Sequence, residues 1–152
     1  MSLFFDTSAL AKLYHQEVGS EIVDVLLSPP QTAFVSRLGI TEMHSVLAAK
    51  VRTRVLTSPD HDLVCRKFRA DARRQRFRVV ALRARHFLMA EELLAAHGQT
   101  ISLRTLDALQ LAVALDLAKS GFVKVLVTAD RALLKAASLE SLACLNPEAP
   151  AL

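Results

Sequence analysis

The sequence predicts a single α/β domain of three layers, with a mostly parallel central sheet covered by helices on both faces. Short apolar segments alternate with longer segments of helical periodicity along the 152 residues, which is the pattern of α/β proteins. The apolar segments, such as LFF and VLVT, show no alternation of apolar and polar residues. Strands of this kind lie in parallel sheets that are buried on both faces.

Local signals place the elements of the N-terminal half. Gly19 separates two short helices, and SPP at residues 28–30 ends the second of them. Ser36 can cap the long helix after the second strand, and Pro59 suits the first turn of the helix that follows. The predicted strands are Leu3–Phe5 and Ala33–Ser36, and the predicted helices are Ser8–Tyr14, Ser20–Leu27, Leu38–Arg54 and Pro59–Arg74.

The C-terminal half continues the alternation of strands and helices. Gly98 and Gly121 each follow a helical segment and indicate its end. We expect residues 1–146 to form the domain and residues 147–152 to form a frayed tail. The predicted strands are Phe77–Leu82, Val123–Thr128 and Leu142–Leu145, and the predicted helices are Arg85–His97, Thr105–Ser120 and Asp130–Ala137.

The composition is that of a soluble globular protein, with 52% hydrophobic and 22% charged residues. Asp6 interrupts the first apolar segment and nothing basic precedes that segment, so we expect no signal peptide. Gln110 and Asp116 break the longest apolar stretch, far short of the roughly 18 residues that a membrane span needs. Cys65 and Cys144 do not suggest a disulfide framework, so we expect a reducing, cytoplasmic setting.

The charge is unevenly distributed along the chain. Twelve Lys and Arg but only three Asp lie between Lys50 and Arg85, which gives this stretch +9 and leaves −5 for the rest of a chain with net charge +4. A basic segment beside acidic ones suggests a bound polyanion such as nucleic acid. A solvated helical face with salt bridges explains the same charges. The residues expected to contact nucleic acid are Arg52, Arg54, Arg73 and Arg74.

Four acids fall where one edge of the predicted sheet can receive them. Asp6 and Asp130 follow apolar strands, Asp107 lies in the first turn of the apolar helix, and Glu42 is near the start of the helix after the second strand. In parallel sheets, ligands bind in the crevice outside the carboxyl ends of the strands. Each acid alone also has an ordinary explanation: a helix cap or the helix dipole for the aspartates, and a surface position for the glutamate.

Carboxylates that share a crevice repel one another, and they persist only when they are protonated or bridged by cations. Ligand sets made only of oxygen favour Mg²⁺ or Mn²⁺ over zinc. Such an ion lowers the pKa of its bound water, and a second ion can stabilise the leaving oxygen of a phosphodiester. The four acids therefore predict a Mg²⁺ or Mn²⁺ site that hydrolyses phosphodiesters, with the basic stretch holding the nucleic acid.

The motifs DTSAL, LDALQLA and VTAD, in this order and with a Glu in the helix after the second strand, resemble the PIN-domain nucleases. The resemblance is strongest to the VapC-type toxins of bacterial toxin–antitoxin pairs, and it runs from Phe4 to about Ala137. It implies that the hydroxyl groups of Ser8 and Thr128 orient carboxylates or water. Helix capping is the alternative explanation for each of these two residues. The acidic catalytic and metal site that it implies consists of Asp6, Glu42, Asp107 and Asp130.

The same resemblance implies the activity and the partners. It implies a Mg²⁺- or Mn²⁺-dependent ribonuclease that is usually a homodimer and is held inactive by a cognate antitoxin. The Arg-rich stretch from Lys50 to Arg85 is longer than in many members of the family, so it can serve RNA, the antitoxin or a second subunit. The alternatives are a non-catalytic PIN-like module that binds RNA or protein, and a phosphatase of the haloacid dehalogenase type. The phosphatase would need a second Asp where Ser8 stands.

Overall fold

The computed structural model describes residues 1–149 and contains a five-stranded sheet in which every pair of neighbouring strands is parallel. The strand order is β3-β2-β1-β4-β5, so the first strand lies at the centre. This confirms the predicted α/β class, and the described sheet is wholly rather than mostly parallel. The strands are β1 (Ser2–Phe5), β2 (Thr32–Ser36), β3 (Arg78–Val80), β4 (Val125–Val127) and β5 (Ala143–Leu145).

Seven α-helices connect and cover the strands, and a short 3₁₀ turn over Ala11–Leu13 follows the first helix. Ser36 caps α3 as predicted, because its Oγ accepts a hydrogen bond of 2.9 Å from the backbone N–H of Gly39. Pro59 lies in the first turn of α4, also as predicted. The helices are α1 (Thr7–Leu10), α2 (Ser20–Leu26), α3 (Arg37–Arg52), α4 (Ser58–Arg73), α5 (Ala84–His97), α6 (Thr105–Lys119) and α7 (Arg131–Leu139).

Most predicted elements differ from the observed ones at one end or both, and two of these differences have a clear local cause. The helix predicted over Ser8–Tyr14 begins one residue earlier, after Asp6, and tightens into the 3₁₀ turn after one α-helical turn. The strand predicted over Val123–Thr128 is shorter at both ends. At its start the backbone N–H of Val123 bonds to the carbonyl of Leu117 at the end of α6, so it is not available to the sheet.

The sheet separates two hydrophobic cores, which accounts for the continuous apolar strands. Helices α5, α6 and α7 enclose one core, and α1 to α4 enclose the other. Within α6, nine consecutive residues from Asp107 to Leu115 are buried, so this helix is enclosed on all sides rather than on one face. Its burial brings the start of the helix, and the acid there, into the interior of the molecule.

The topology creates one switch point, between β1 and β4. From β1 the chain builds outward through β2 and β3, and then crosses to the other side of β1 to build β4 and β5. Leu3 pairs with Ala33 of β2 on one side and with Val125 of β4 on the other. Ligand crevices of open α/β sheets form outside the carboxyl ends of the strands at such a point.

Part of the predicted tail packs on the domain. Gly19 has a φ of +88°, and a Cβ atom there would lie 2.6 Å from the carbonyl oxygen of Pro147. Pro147 is buried, and the carboxylate of Glu148 lies 2.7 Å from the ammonium of Lys12. Pro147 and Glu148, at the start of the predicted frayed tail, therefore contact the domain. Residues 150–152 lie outside the described part of the chain.

Both cysteines have free thiols, with Cys65 buried and Cys144 partly buried. Burial raises the pKa of the Cys144 thiol. Within residues 1–149, no helix is both long enough and apolar enough to cross a membrane.

Candidate active site

Asp6 lies at the switch point, directly after β1. Its backbone N–H donates a hydrogen bond of 3.2 Å to the carbonyl of Val127, so the residue is fixed between the ends of β1 and β4. Its side chain caps α1, because Oδ1 accepts a hydrogen bond of 3.0 Å from the backbone N–H of Ala9. Only 5% of Asp6 is exposed. Capping explains where the carboxyl group points, but it does not explain why an acid is buried there.

The environment of Asp6 disfavours its charge. Burial raises the pKa of this carboxyl from 3.8 to about 6, and the nearby charge of Asp130 adds to the effect. Hydrogen bonds from Ala9, Thr128 and Ser8 act in the opposite direction without cancelling it. A carboxyl with a raised pKa at a cleft is one sign of a functional site. A nearby cation would stabilise its charged form.

Ser8 and Thr128 connect the ends of β1 and β4. The hydroxyl of Ser8 donates to the carboxylate of Asp6 at 2.9 Å and accepts from the backbone N–H of Ala129 at 2.9 Å. The Thr128 hydroxyl lies 3.3 Å from that of Ser8 and accepts a bond of 3.0 Å from the backbone N–H of Asp130. These two hydroxyl groups therefore fix the relative positions of the first and the fourth acid, which agrees with a supporting role beside the carboxylates.

Asp107 and Asp130 both contact the guanidinium of Arg104. Asp107 is buried in the first turn of α6, and its carboxylate accepts a bond of 2.9 Å from Nε of Arg104, three residues earlier. Asp130 caps α7 by accepting a bond of 2.9 Å from the backbone N–H of Leu133. Its other oxygen lies 3.4 Å from Nη2 of Arg104. The hydrogen bond and the charge of Asp107 raise the pKa of the Arg104 guanidinium.

Glu42 is part of a network of uncharged hydrogen-bonding groups. Its Oε2 accepts bonds of 2.9 Å from the hydroxyl of Thr7 and 2.8 Å from Nε2 of Gln110. Oε1 of Gln110 in turn accepts a bond of 2.6 Å from Ser36, the cap of α3. Because Thr7 follows Asp6, and Gln110 lies one turn after Asp107, the network holds Glu42 beside the other acids. Its Oε1 has no hydrogen-bond partner among the described residues.

The donor atoms fit a hard divalent cation, although the four acids do not form a closed set of ligands. All four candidates provide carboxylate oxygens, the ligand type that Mg²⁺ and Mn²⁺ prefer. Within residues 1–149, no three His, Cys, Asp or Glu side chains lie close enough together to hold one metal ion. The guanidinium of Arg104 lies between two of the acids instead. A positive charge between two carboxylates reduces their mutual repulsion and stabilises their charged forms.

A groove of about 410 Å³ opens beside the acids and carries basic residues on its other side. Its lining includes Ser8 and Asp130 together with Lys12 and Lys50. Lys12 is only 4% exposed, and its ammonium lies 3.3 Å from Glu17 and 2.7 Å from Glu148. Glu17 also contacts Lys50 at 3.3 Å. The mouth of the site therefore carries both signs of charge.

The four arginines expected to contact nucleic acid are all exposed, but they do not form one patch. Arg52 ends α3 and Arg54 lies in the loop before α4, whereas Arg73 and Arg74 lie at the end of α4. The 16 residues of α4 separate the two pairs by about 24 Å.

Sequence reasoning missed three residues of the site. Thr7 and Gln110 hold Glu42, and Arg104 bridges two acids. A signal was present for Arg104, because it stands three residues before Asp107 at the start of a helix, where the two side chains share a face. No comparable local signal marks Gln110, whose partners lie 68 and 74 residues away in sequence.

Asp116 lies away from the site. Its carboxylate contacts Arg85 at 2.6 Å and the buried ring of His86 at 2.9 Å, both on α5. The hydrogen bond from Arg85 is the main cause that lowers the pKa of Asp116. These contacts join α5 to α6 and are structural.

The sequence matches the model of the PIN domain family over residues 3–139. No protein of curated function matches it in sequence. The fold is similar to that of VapC20 from Mycobacterium tuberculosis, a toxin that cleaves the sarcin–ricin loop. The TM-score is 0.66 at 20% identity, over 98% of this chain and 99% of that chain.

Two further solved structures share the fold. VapBC2 from Rickettsia felis, bound to a DNA fragment from its promoter, gives a TM-score of 0.65 at 15% identity, over 96% of this chain and 98% of that chain. For FitAcB from Neisseria gonorrhoeae the TM-score is 0.64 at 15% identity, over 95% of this chain and 97% of that chain. The family match covers most of the chain and the solved structures share its architecture, so this chain belongs to the PIN domain family.

Proposed function

We propose that this PIN domain is a Mg²⁺- or Mn²⁺-dependent endoribonuclease that acts in the cytoplasm as the toxin of a type II toxin–antitoxin pair. Its substrate is RNA, its protein partners are a cognate antitoxin and a second copy of the chain, and its catalytic and metal-binding residues are Asp6, Glu42, Asp107 and Asp130. One observation carries the proposal. Asp6 and Asp130 follow the neighbouring strands β1 and β4 at the switch point, and the guanidinium of Arg104 bridges Asp130 to Asp107.

The charges and burial of the acids support a hydrolytic metal site. Burial raises the pKa of Asp6, and a divalent cation beside it would stabilise the charged carboxylate. A bound divalent cation supplies Lewis acidity for the attack of water on a phosphodiester. In this proposal Asp6, Asp107 and Asp130 hold the cation, Glu42 presents its free Oε1 to the same crevice, and Ser8 and Thr128 orient the neighbouring carboxylates.

Two further features support RNA as substrate and a toxin role. The groove beside the acids carries Lys50, which would exchange its ion pair with Glu17 for a phosphate of a bound polynucleotide. The solved structures with this fold include VapC20, a toxin that cleaves the sarcin–ricin loop.

The first test is Mn²⁺ binding, measured by calorimetry at pH 7.5 on wild type, Asp107→Asn and Glu91→Gln. Glu91 is an exposed acid on α5 that makes no hydrogen bond or ion pair among the described residues, so it controls for the loss of one negative charge. We expect saturable binding in wild type and in the control, and a loss of binding in Asp107→Asn. A folded wild-type protein that binds no Mn²⁺ would contradict the proposal.

The second test is cleavage of a mixed RNA pool with Mg²⁺ or with EDTA. We expect wild type and Glu91→Gln to cleave RNA with Mg²⁺, and Asp107→Asn to be inactive. Expression of wild type alone should arrest growth, whereas expression of Asp107→Asn should not. Metal binding without cleavage of any RNA would support the metal site but refute the proposed ribonuclease activity.

One observation favours the non-catalytic binding module as the second candidate. Each of the four carboxylates already accepts hydrogen bonds within the protein, and two of them cap helices. The acids could then be purely structural. This candidate predicts that RNA binds with equal affinity to wild type and to Asp107→Asn and that it stays intact, which a filter-binding assay with recovery of the RNA can measure.

A further inference from the structure

The guanidinium of Arg104 occupies the space between two acids that are proposed to hold the metal ion. Its Nε lies 2.9 Å from Oδ2 of Asp107, and its Nη2 lies 3.5 Å from Oδ1 of the same residue. Nη2 also lies 3.4 Å from Oδ2 of Asp130. One side chain thus neutralises carboxylates from α6 and from the start of α7, which otherwise repel each other.

A divalent cation bound to Asp107 and Asp130 competes with Arg104 for the same atoms. Oδ1 of Asp130 accepts a bond from the backbone of α7, and Arg104 contacts the other oxygen, Oδ2. Both oxygens of Asp107 also face the guanidinium. The ion and the guanidinium therefore cannot both occupy this position.

The position of Arg104 in the fold allows it to leave. Its side chain is 74% exposed and lies just before the first residue of α6, so neither the core nor the helix fixes it. Exposed ion pairs contribute little to stability, because solvent screens them and ordering long side chains has an entropic cost. The arginine can turn outward into water without disturbing the buried network around Glu42.

From these contacts we infer that Arg104 is an intramolecular counter-ion that holds the acidic site together without metal and exchanges with the incoming divalent cation. The inference rests on the proposed function, because it assigns a role in cation binding to the same site. Arg104 is a positioning residue in this scheme. It keeps Asp107 and Asp130 close together, and its departure accompanies metal binding.

The experiment compares Mn²⁺ binding by calorimetry in wild type, Arg104→Gln, Arg104→Lys and Arg131→Gln. Arg131 is the matched control, because it is an exposed arginine next to Asp130 and forms no ion pair among the described residues. Removal of the competing cation should lower the Kd for Mn²⁺ by about two- to tenfold in Arg104→Gln, the range expected for loss of exposed ion pairs. Arg104→Lys should lie between wild type and Arg104→Gln, and Arg131→Gln should stay close to wild type.

Thermal unfolding provides a readout that does not depend on activity. In EDTA, Arg104→Gln should unfold at a lower temperature than wild type, because its acids repel each other. Saturating Mn²⁺ should raise the unfolding temperature of Arg104→Gln by more than that of wild type. An exchange of cations predicts both differences, whereas a purely structural arginine predicts only the first.

The outcomes separate this inference from the proposed function. Equal or weaker Mn²⁺ binding in Arg104→Gln would overturn the inference and leave the metal site standing. An equal gain in Arg104→Gln and Arg131→Gln would also overturn it, because the effect would then be one of overall charge. An absence of Mn²⁺ binding in every folded variant would overturn both.

Discussion

Asp6→Asn should make the metal-free protein more stable at neutral pH, because the buried carboxyl group is charged there at an energetic cost. Burial raises the pKa of Asp6 from 3.8 to about 6. Between these two values the folded protein keeps a proton that the unfolded chain has released. The stability of wild type should therefore fall as the pH rises from about 4 to about 6, and should stay low above it.

The size of the effect follows from the shift of the pKa. A shift of about two pH units corresponds to roughly 3 kcal/mol between the two protonation states. In a protein of this size a change of 1 kcal/mol moves Tm by about 2–4 °C. The difference in Tm between Asp6→Asn and wild type should grow with pH and reach roughly 6–12 °C at most near pH 7. Asn keeps an oxygen that can cap α1, so the helix start should survive.

The assay is thermal unfolding followed by circular dichroism between pH 4 and pH 8, with EDTA present throughout. Glu91→Gln should follow the wild-type profile, because this glutamate is exposed on α5. If Asp6→Asn and wild type show the same dependence on pH, or if the variant is the less stable protein at pH 7, the buried charge is not a source of instability. When Mn²⁺ replaces EDTA, we expect the ion to raise the Tm of wild type and to leave the Tm of Asp6→Asn nearly unchanged.

Three further substitutions test other parts of the structure by thermal or urea unfolding. Ser36→Ala should cost roughly 1–3 kcal/mol, because it removes the cap of α3 and leaves the buried Oε1 of Gln110 without its donor. Gly19→Ala should cost roughly 1–3 kcal/mol and exceed Gly121→Ala, since both glycines have positive φ but only Gly19 approaches another backbone. Asp116→Asn should cost roughly 1–3 kcal/mol near pH 7 by weakening the bonds to α5. This last difference should shrink as the pH falls through the lowered pKa of Asp116, because wild type then loses the same charge. Equal stability of variant and wild type would refute each expectation.

The fold and the positions of the acids were accessible from sequence because both are encoded locally. LFF before Asp6 and VLVT before Asp130 mark buried strands that end on acids, and parallel strands place such residues at one edge. The apolar helix that begins near Asp107 was recognisable from its composition. These predictions needed only the order of the elements and the handedness of their connections.

The partners of the acids were not accessible, because they depend on contacts between distant parts of the chain. Arg104 is one of 19 basic residues, and its second contact, with Asp130, lies 26 residues away in sequence. The burial of Lys12 depends on Glu148, 136 residues later. Net charge likewise gave no indication that the four arginines expected to contact nucleic acid lie near opposite ends of α4.

The contact between Lys12 and Glu148 also determines where probes and fusion partners can be attached. A label or an affinity tag that follows Glu148 would leave the domain beside the groove and could compete with a polyanion for its lysines. Met1 precedes β1, and Asp6 follows the other end of that strand, so five steps of extended chain, about 17 Å, separate the two. Tags for binding and cleavage measurements therefore belong at Met1, whereas a fluorophore placed after Glu148 would report ligands that enter the groove.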